Sequence, residues 1–249
     1  MKLVGRKASA FIRPKRIPPR LSKCRGGMKT VAIVPAAGSG KRLGLKTPKP
    51  FVLLGGKPLV IRALEALDSS GSIDAIIVAA EKRYVKRLEA LVGRYRLKKV
   101  AAVIAGGRTR FNSVKNCLEK IGRSFDVVLV HDGARPFIDE GLIEASVRLA
   151  RKFGACIVAV PESDTVKLVD KKGFIRKTLD RKEIFRAGTP QAFKLDIIRK
   201  AYTSAKSGNV TDDSSLVESL GVKVKILKGS YRNIKITTKE DLKMSEALS

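Results

Sequence analysis

Residues 31–50 read VAIVPAAGSGKRLGLKTPKP. Val31–Val34 is a short apolar run that reads as a buried strand, and the helix-averse Pro35 is expected to end it. Ala36, Ala37, Gly38, Ser39 and Gly40 follow, small enough for another molecule to approach the backbone closely. A Gly-rich turn after a first strand exposes several backbone N–H groups on one concave surface, which suits an anion. Just beyond it stand Lys41, Arg42, Lys46 and Lys49, the last framed by Pro48 and Pro50, and full charges there suit a polyphosphate. Two common phosphate loops do not fit. P-loop spacing from Gly38 puts Leu43 where the second glycine belongs. The dinucleotide fingerprint also meets Leu43 at its third glycine, which comes one place late at Gly44.

Outward from this loop the chain alternates. Lys57–Leu67 carries Val60, Leu64 and Leu67 at helical spacing, and Ile73–Ala80 is a continuous apolar strand. Tyr84–Tyr95 repeats Val85, Leu88, Leu91 and Val92 on one face. Val100–Ala105 reads as a strand, and a helix with Phe111, Val114, Leu118 and Ile121 follows Gly106 and Gly107. Val127–Val130 is a strand, Glu140–Phe153 a helix and Cys156–Val160 a strand. Strands without polar alternation, separated by amphipathic helices, predict a mostly parallel sheet covered on both faces. Right-handed crossovers then make it a doubly wound α/β fold.

Residues 161–185 break the rhythm. Val166–Leu168 and Phe174–Lys177 flank Asp170–Gly173, which predicts a protruding β-hairpin arm. An isolated hairpin is marginal and needs a partner. Beyond it, Leu195–Lys206 and Asp212–Leu220 read as helices and Val222–Leu227 as a strand. A last helix is expected to start at a capping box, Thr237-x-x-Glu240.

Composition narrows the function classes. A chain of 249 residues accommodates one α/β domain with a sizeable core. It has no apolar run near the ~20 residues of a membrane span. Cys24, Cys117 and Cys156 form neither a disulfide framework nor a zinc set, so a reducing cytoplasm is the simpler expectation. His131 is the only histidine, which leaves little material for a Ser-His relay. The net charge is +29; residues 1–27 hold nine of the 52 lysines and arginines and no acid. Such a surface attracts anionic substrates. With aromatic residues sparse and no RNA-binding motif, specific nucleic-acid recognition is the weaker reading. The leader, 1–27, reads as disordered, as an organelle transit peptide, or as a misassigned start with Met28 opening a domain over 28–249.

His131-Asp-Gly-Ala-Arg-Pro-Phe137 follows a strand, so Asp132 falls at a strand's C-terminal end, where open α/β sheets bind ligands. A carboxylate beside a triphosphate is a natural Mg²⁺ ligand. PAAGSGKRLGLKTPKPF at 35–51 resembles the signature of the sugar-phosphate nucleotidyltransferases. With HDGARPF at 131–137, TLDRKEIF at 178–185, GTPQAF at 188–193, TDDSSLVE at 211–218 and NIKIT at 233–237, the chain from about residue 28 to 249 resembles the 2-C-methyl-D-erythritol 4-phosphate cytidylyltransferase family.

The resemblance implies a Rossmann-like nucleotidyltransferase fold and transfer of CMP from CTP to methylerythritol phosphate, with release of pyrophosphate. It implies catalytic roles for Arg42 and Lys49, and assigns Asp132 to a divalent metal. It places Pro35, Ala36, Ala37, Gly38, Gly40, Gly107 and Ser113 at the nucleotide. Arg181, Lys235, Thr165, Thr189, Thr211 and Arg135 go to the acceptor. It makes the arm the contact of a homodimer, so that Thr165 and Arg181 would serve the neighbouring chain's site. A ribitol 5-phosphate cytidylyltransferase and a non-catalytic basic RNA-binding module are the competing readings.

Overall fold

The computed structural model describes residues 27–38, 40–45, 47–205 and 210–248. The readings of the leader over 1–26, of Ser39 and Lys46, and of the helix end at Lys206 lie outside the described residues.

The strands are β1 (Thr30–Ala36), β2 (Leu53–Leu54), β3 (Lys57–Pro58), β4 (Ala75–Ala80), β5 (Val100–Ala105), β6 (Val127–Val130), β7 (Ala155–Pro161), β8 (Lys167–Val169), β9 (Ile175–Thr178), β10 (Phe185–Lys194) and β11 (Lys225–Lys228). The helices are α1 (Leu59–Ser69), α2 (Val85–Arg94), α3 (Arg110–Lys120), α4 (Glu140–Phe153), α5 (Leu195–Ser204), α6 (Asp213–Glu218) and α7 (Lys239–Glu246). Seven strands form one sheet in the order β11-β7-β10-β6-β1-β4-β5. All pairings are parallel except those of β10, which runs antiparallel to both β6 and β7. The fold is the expected α/β sheet.

Alternate side chains of β1 go to opposite faces, as strand geometry demands. Ala32 and Val34 join the cluster under α1, α2 and α4, and Val31 and Ile33 the cluster under α3, α5 and α6. Both faces are covered, which is why the strands read as unbroken apolar runs. A third small cluster of Leu43, Val52, Leu54, Leu59 and Ile236 ties the segment after β1 to the segment before α7.

Four local readings are corrected. Pro35 does not end β1: it pairs in register with Ala79, and Ala36 with Ala80. A proline lacks only the N–H, and its carbonyl still accepts from Gly133 N. The last capping box is Thr238 with Asp241, one place later than expected. Thr238 Oγ1 accepts from Asp241 N, while the Asp241 carboxylate accepts from the N–H groups of Thr237 and Thr238. The last strand starts at Lys225 rather than Val222. Finally, β10 has no counterpart among the strands expected from sequence. Its outer half is exposed, its inner half buried, and its register against β7 shifts between Ala187 and Gln191. The pattern across it is therefore neither alternating nor continuously apolar.

The β8–β9 hairpin lies outside the main sheet, and its two strands pair only with each other. Every residue of both strands is exposed.

Candidate active site

β1 sits between β4 and β6. The chain leaves β1 toward β4 and β5, then returns to β6 on the other side. The carboxyl ends of β1 and β6 therefore flank a topological switch point, where loops diverge and leave a crevice. A cavity of about 500 Å³ opens there.

One wall is the loop after β1: Pro35, Ala36, Ala37, Gly38, Gly40, Arg42 and Lys49 all line the cavity. The loop folds back on itself at Gly40. That residue has φ +67°, and a Cβ on it would stand 2.8 Å from Lys49 Cβ. Glycine there allows the left-handed turn and the contact that holds Lys49 over the cavity. Leu43, fully buried in the third cluster, anchors the short turn on which Arg42 is exposed.

A second wall is the β5–α3 loop, where Gly107 and Ser113 line the cavity. Ser113 Oγ accepts from Gly107 N at 3.1 Å and donates to Thr109 O at 2.9 Å, so this hydroxyl holds the loop's shape. A Cβ on Gly107 would come 2.3 Å from Asn112 Cβ. Thr109 Oγ1 caps α3 by accepting from Asn112 N.

The floor is Asp132, at the end of β6. Its Oδ1 accepts from Arg110 Nε at 3.1 Å, and its Oδ2 from Lys235 Nζ at 2.7 Å. Arg135 Nε lies 4.0 Å from Oδ2. Burial works to raise this carboxyl's pKa. The charges of Arg110 and Lys235, with the Lys235 hydrogen bond, outweigh it and hold the group well below the usual carboxylate range. Lys49 shifts down: burial first, then the charge of Lys235, with a smaller push from Arg42, lower its pKa to about 8 against the pull of Asp132. The site concentrates positive charge that nothing within it fully neutralises. That is the field a triphosphate needs.

Behind Asp132 the neighbouring groups are committed inward. His131 is fully buried, and burial lowers its pKa to about 4, so it is neutral. Its Nε2 bonds Arg135 O at 2.9 Å, which makes Nε2 the donor and leaves Nδ1 to accept from Thr189 Oγ1 at 3.2 Å. Thr189 Oγ1 in turn accepts from Asp132 N at 3.1 Å. The chain of bonds fixes the peptide that carries Asp132.

Lys235 also lines the cavity, its segment held by Ile236 N donating to Ala134 O. Eleven residues expected at the site from sequence thus meet in one cavity. Five do not line it. Thr189 is buried, with its hydroxyl spent on His131 and Asp132. Arg135 is mostly buried and donates to Asn233 O at 2.7 Å, although its Nε makes no hydrogen bond among the described residues. Thr211 is exposed beside the N-cap of α6. Thr165 and Arg181 are exposed at the base of the arm, where Arg181 donates to Ser163 O. Sequence reasoning missed Arg110, which lines the cavity between two carboxylates, Asp132 and Asp213.

A doubly wound sheet with a Gly-rich loop, paired cations and one strand-end carboxylate around a crevice defines a nucleotidyltransferase. The model of one such family, "IspD: 2-C-methyl-D-erythritol 4-phosphate cytidylyltransferase", matches residues 30–249. Proteins of that name from Geobacillus thermodenitrificans and Pelotomaculum thermopropionicum are 44% and 43% identical to this chain. The alignments cover 87% and 88% of this chain, and 95% and 94% of those proteins. Among solved structures, a 4-diphosphocytidyl-2C-methyl-D-erythritol synthase from Anaerococcus prevotii matches with a TM-score of 0.79 at 32% identity. That match covers 89% of this chain and 98% of that one. A 2-C-methyl-D-erythritol 4-phosphate cytidylyltransferase from Thermus thermophilus matches with a TM-score of 0.71 at 30% identity. The chain belongs to the 2-C-methyl-D-erythritol 4-phosphate cytidylyltransferase family.

Proposed function

We propose that this chain transfers CMP from CTP to 2-C-methyl-D-erythritol 4-phosphate and releases pyrophosphate. The observation that carries this reading is that the Gly-rich loop with its Arg42 and Lys49, the strand-end Asp132 and Lys235 all line one cavity. The acceptor is a phosphate monoester, already ionised, so no strong base is required. One of its oxygens attacks the α-phosphorus of CTP. The bond from that phosphorus to the bridging oxygen breaks, and pyrophosphate leaves with the electron pair. The protein's part is alignment and stabilisation of charge on the five-coordinate phosphorus. Arg42 and Lys49 meet the triphosphate and the transferring phosphoryl group. Lys235, beside Asp132 on the cavity wall, serves the acceptor phosphate, and Arg135 supports it from behind that wall. Ala36, Ala37, Gly107 and Ser113 leave room for a compact pyrimidine and offer it backbone groups.

The donor set also fits a divalent cation carried by the nucleotide. Among the described residues no group of three or more acidic, His or Cys side chains could hold a metal alone. Asp132 offers one ionised carboxylate, and Mg²⁺ takes one or two carboxylates with phosphate oxygens and water. Bound there, the ion would neutralise phosphate charge and polarise the α-phosphoryl group. We infer further that the arm joins two copies into a homodimer, supported by the exposure of Leu168, Val169, Phe174 and Ile175 on a hairpin with no core of its own. Thr165 and Arg181, at its base, then belong to the neighbouring site. No helix among the described residues is long and apolar enough to cross a membrane, and a cytoplasmic location fits the buried free Cys117 and Cys156.

The test is a CTP-dependent pyrophosphate-release assay with competing polyol phosphates. Methylerythritol phosphate is expected to be turned over far faster than ribitol 5-phosphate. The reverse order would assign the chain to ribitol phosphate, and no release with either would overturn the reading.

A further inference from the structure

The TDDSSLVE stretch holds a carboxylate that the proposed reaction does not use. Asp213, in the first turn of α6, is fully buried. Its Oδ2 accepts from Arg110 Nη2 at 2.7 Å, and its Oδ1 from Tyr202 Oη at 2.5 Å. Burial and the Asp213 charge push the Tyr202 hydroxyl well above its ordinary range, so it stays a donor. The Asp213 backbone N–H donates to Gln191 Oε1, as does that of Ser214, and Gln191 Nε2 donates to Asp212 Oδ2. Tyr202 itself stacks on Phe111, next to Arg110, with ring centroids 4.8 Å apart. Every polar atom of the Asp213 carboxylate is thus fixed from two helices.

A buried carboxylate is costly unless it is paired and hydrogen-bonded, and apolar replacement of a whole buried ion pair is often neutral or stabilising. Here the pairing leads somewhere. The Arg110 fork joins Asp213 through Nη2 to Asp132 through Nε. A guanidinium held by two carboxylates on separate nitrogens cannot rotate away from either. The two cations on Asp132 are therefore held unequally. Lys235 reaches Oδ2 as a flexible side chain, 40% exposed, whereas Arg110 reaches Oδ1 with its far side anchored in the core.

We propose that Asp213 is a positioning residue for the metal-binding carboxylate: through Arg110 it fixes Asp132 Oδ1, so that Oδ2, held in the free chain only by the half-exposed Lys235, is the oxygen a nucleotide-borne divalent cation takes over from that lysine. Asp213 touches neither substrate nor metal. This rests on the reading of Asp132 as the metal ligand. It links α6, which follows Thr211, to the β5–α3 loop, whose last residues run into Arg110.

The experiment measures CTP binding by titration calorimetry, in Mg²⁺ and again in EDTA, for the full chain and three variants. The wild type is expected to bind more tightly with Mg²⁺; equal affinity in both would sink the metal reading itself and this proposal with it. Asp213→Asn keeps the shape and removes the charge that anchors Arg110. It should lose about tenfold or more in the Mg²⁺ titration, the scale usual when a partner of a metal ligand is removed, and change within about twofold in EDTA. Arg110→Lys keeps one charge but cannot span both carboxylates; because Arg110 lines the cavity it should lose affinity in both titrations, with the larger loss in Mg²⁺, even if Asp213→Asn folds poorly. Tyr202→Phe disturbs the same buried cluster while leaving Arg110 anchored, and should keep the wild-type ratio of the two affinities. Equal losses with and without metal in Asp213→Asn and Arg110→Lys would overturn the proposal. So would wild-type binding by both, or a Tyr202→Phe ratio that collapses like theirs.

Discussion

Raising the pH should silence this enzyme through Lys49. Burial, then the neighbouring charge of Lys235, lower its pKa to about 8 in the free chain. A group with that pKa is about nine-tenths protonated at pH 7 and about one-tenth at pH 9. Since kcat/KM reports the free enzyme, kcat/KM for CTP should fall about tenfold over those two units. The limb of kcat should lie higher, because a bound triphosphate favours the charged lysine. The buried titratable groups behind the cavity do not explain such a limb. His131 titrates near 4. The two buried cysteines, Cys117 and Cys156, are pushed up to about 12 and about 11. The assay is pyrophosphate release at saturating Mg²⁺ and acceptor, from pH 6.5 to 9.5. Lys49→Arg, a charge that does not titrate, should lose the alkaline limb whatever its absolute rate. Lys235→Gln, which removes a like charge, should move the limb to higher pH. Stability runs the opposite way. The unfolded chain holds the extra proton between about pH 8 and 10.5, so the charge on Lys49 weighs against folding at neutral pH. Lys49→Met should therefore raise Tm while abolishing turnover. A flat kcat/KM profile to pH 9.5, or an unchanged limb in Lys49→Arg, would refute the reasoning.

Gly40→Ala should fold but lose about 10² in turnover. A left-handed alanine costs about 1 kcal/mol, and its Cβ would displace Lys49, against which it would stand at 2.8 Å; circular dichroism and the release assay check both halves. EDTA in excess should stop turnover and Mg²⁺ restore it, while an unchanged rate would remove Asp132 from any metal role. Mixing inactive Lys49→Ala with inactive Arg181→Ala should recover about a quarter of wild-type activity. In a random heterodimer one site collects both lesions and the other neither. Two-tag co-purification verifies the exchange, and exchanged but inactive mixtures would mean that Arg181 serves its own chain.

Much of this architecture was legible because its signals are local. Val100–Ala105, Val127–Val130 and Glu140–Phe153 appear at the boundaries their apolar runs predict. A parallel strand buried on both faces has no reason to alternate, and a helix on its face must. The nucleotide loop was legible for a similar reason: small residues, a turn and the cations share one short segment. Apart from the last capping box, which is one place later than expected, what failed were readings that depended on a partner distant in sequence. β10 is a strand because β6 and β7 leave a slot between them, and no periodicity within Phe185–Lys194 announces it.

The sequence by itself determined the layered α/β sheet, the position of the anion-binding turn and the types of charge around it. Backbone preference and side-chain period act over a few residues, so they can be read along the chain. Tertiary structure alone decided how those charges are spent. It turned Thr189 inward to His131. It paired Asp132 with Lys235, 103 positions away, and set Arg110 between Asp132 and Asp213, also 103 positions from Arg110. Such pairings have no period. They follow from where the sheet order delivers its strand ends, and from the need of every buried charge to find an opposite one.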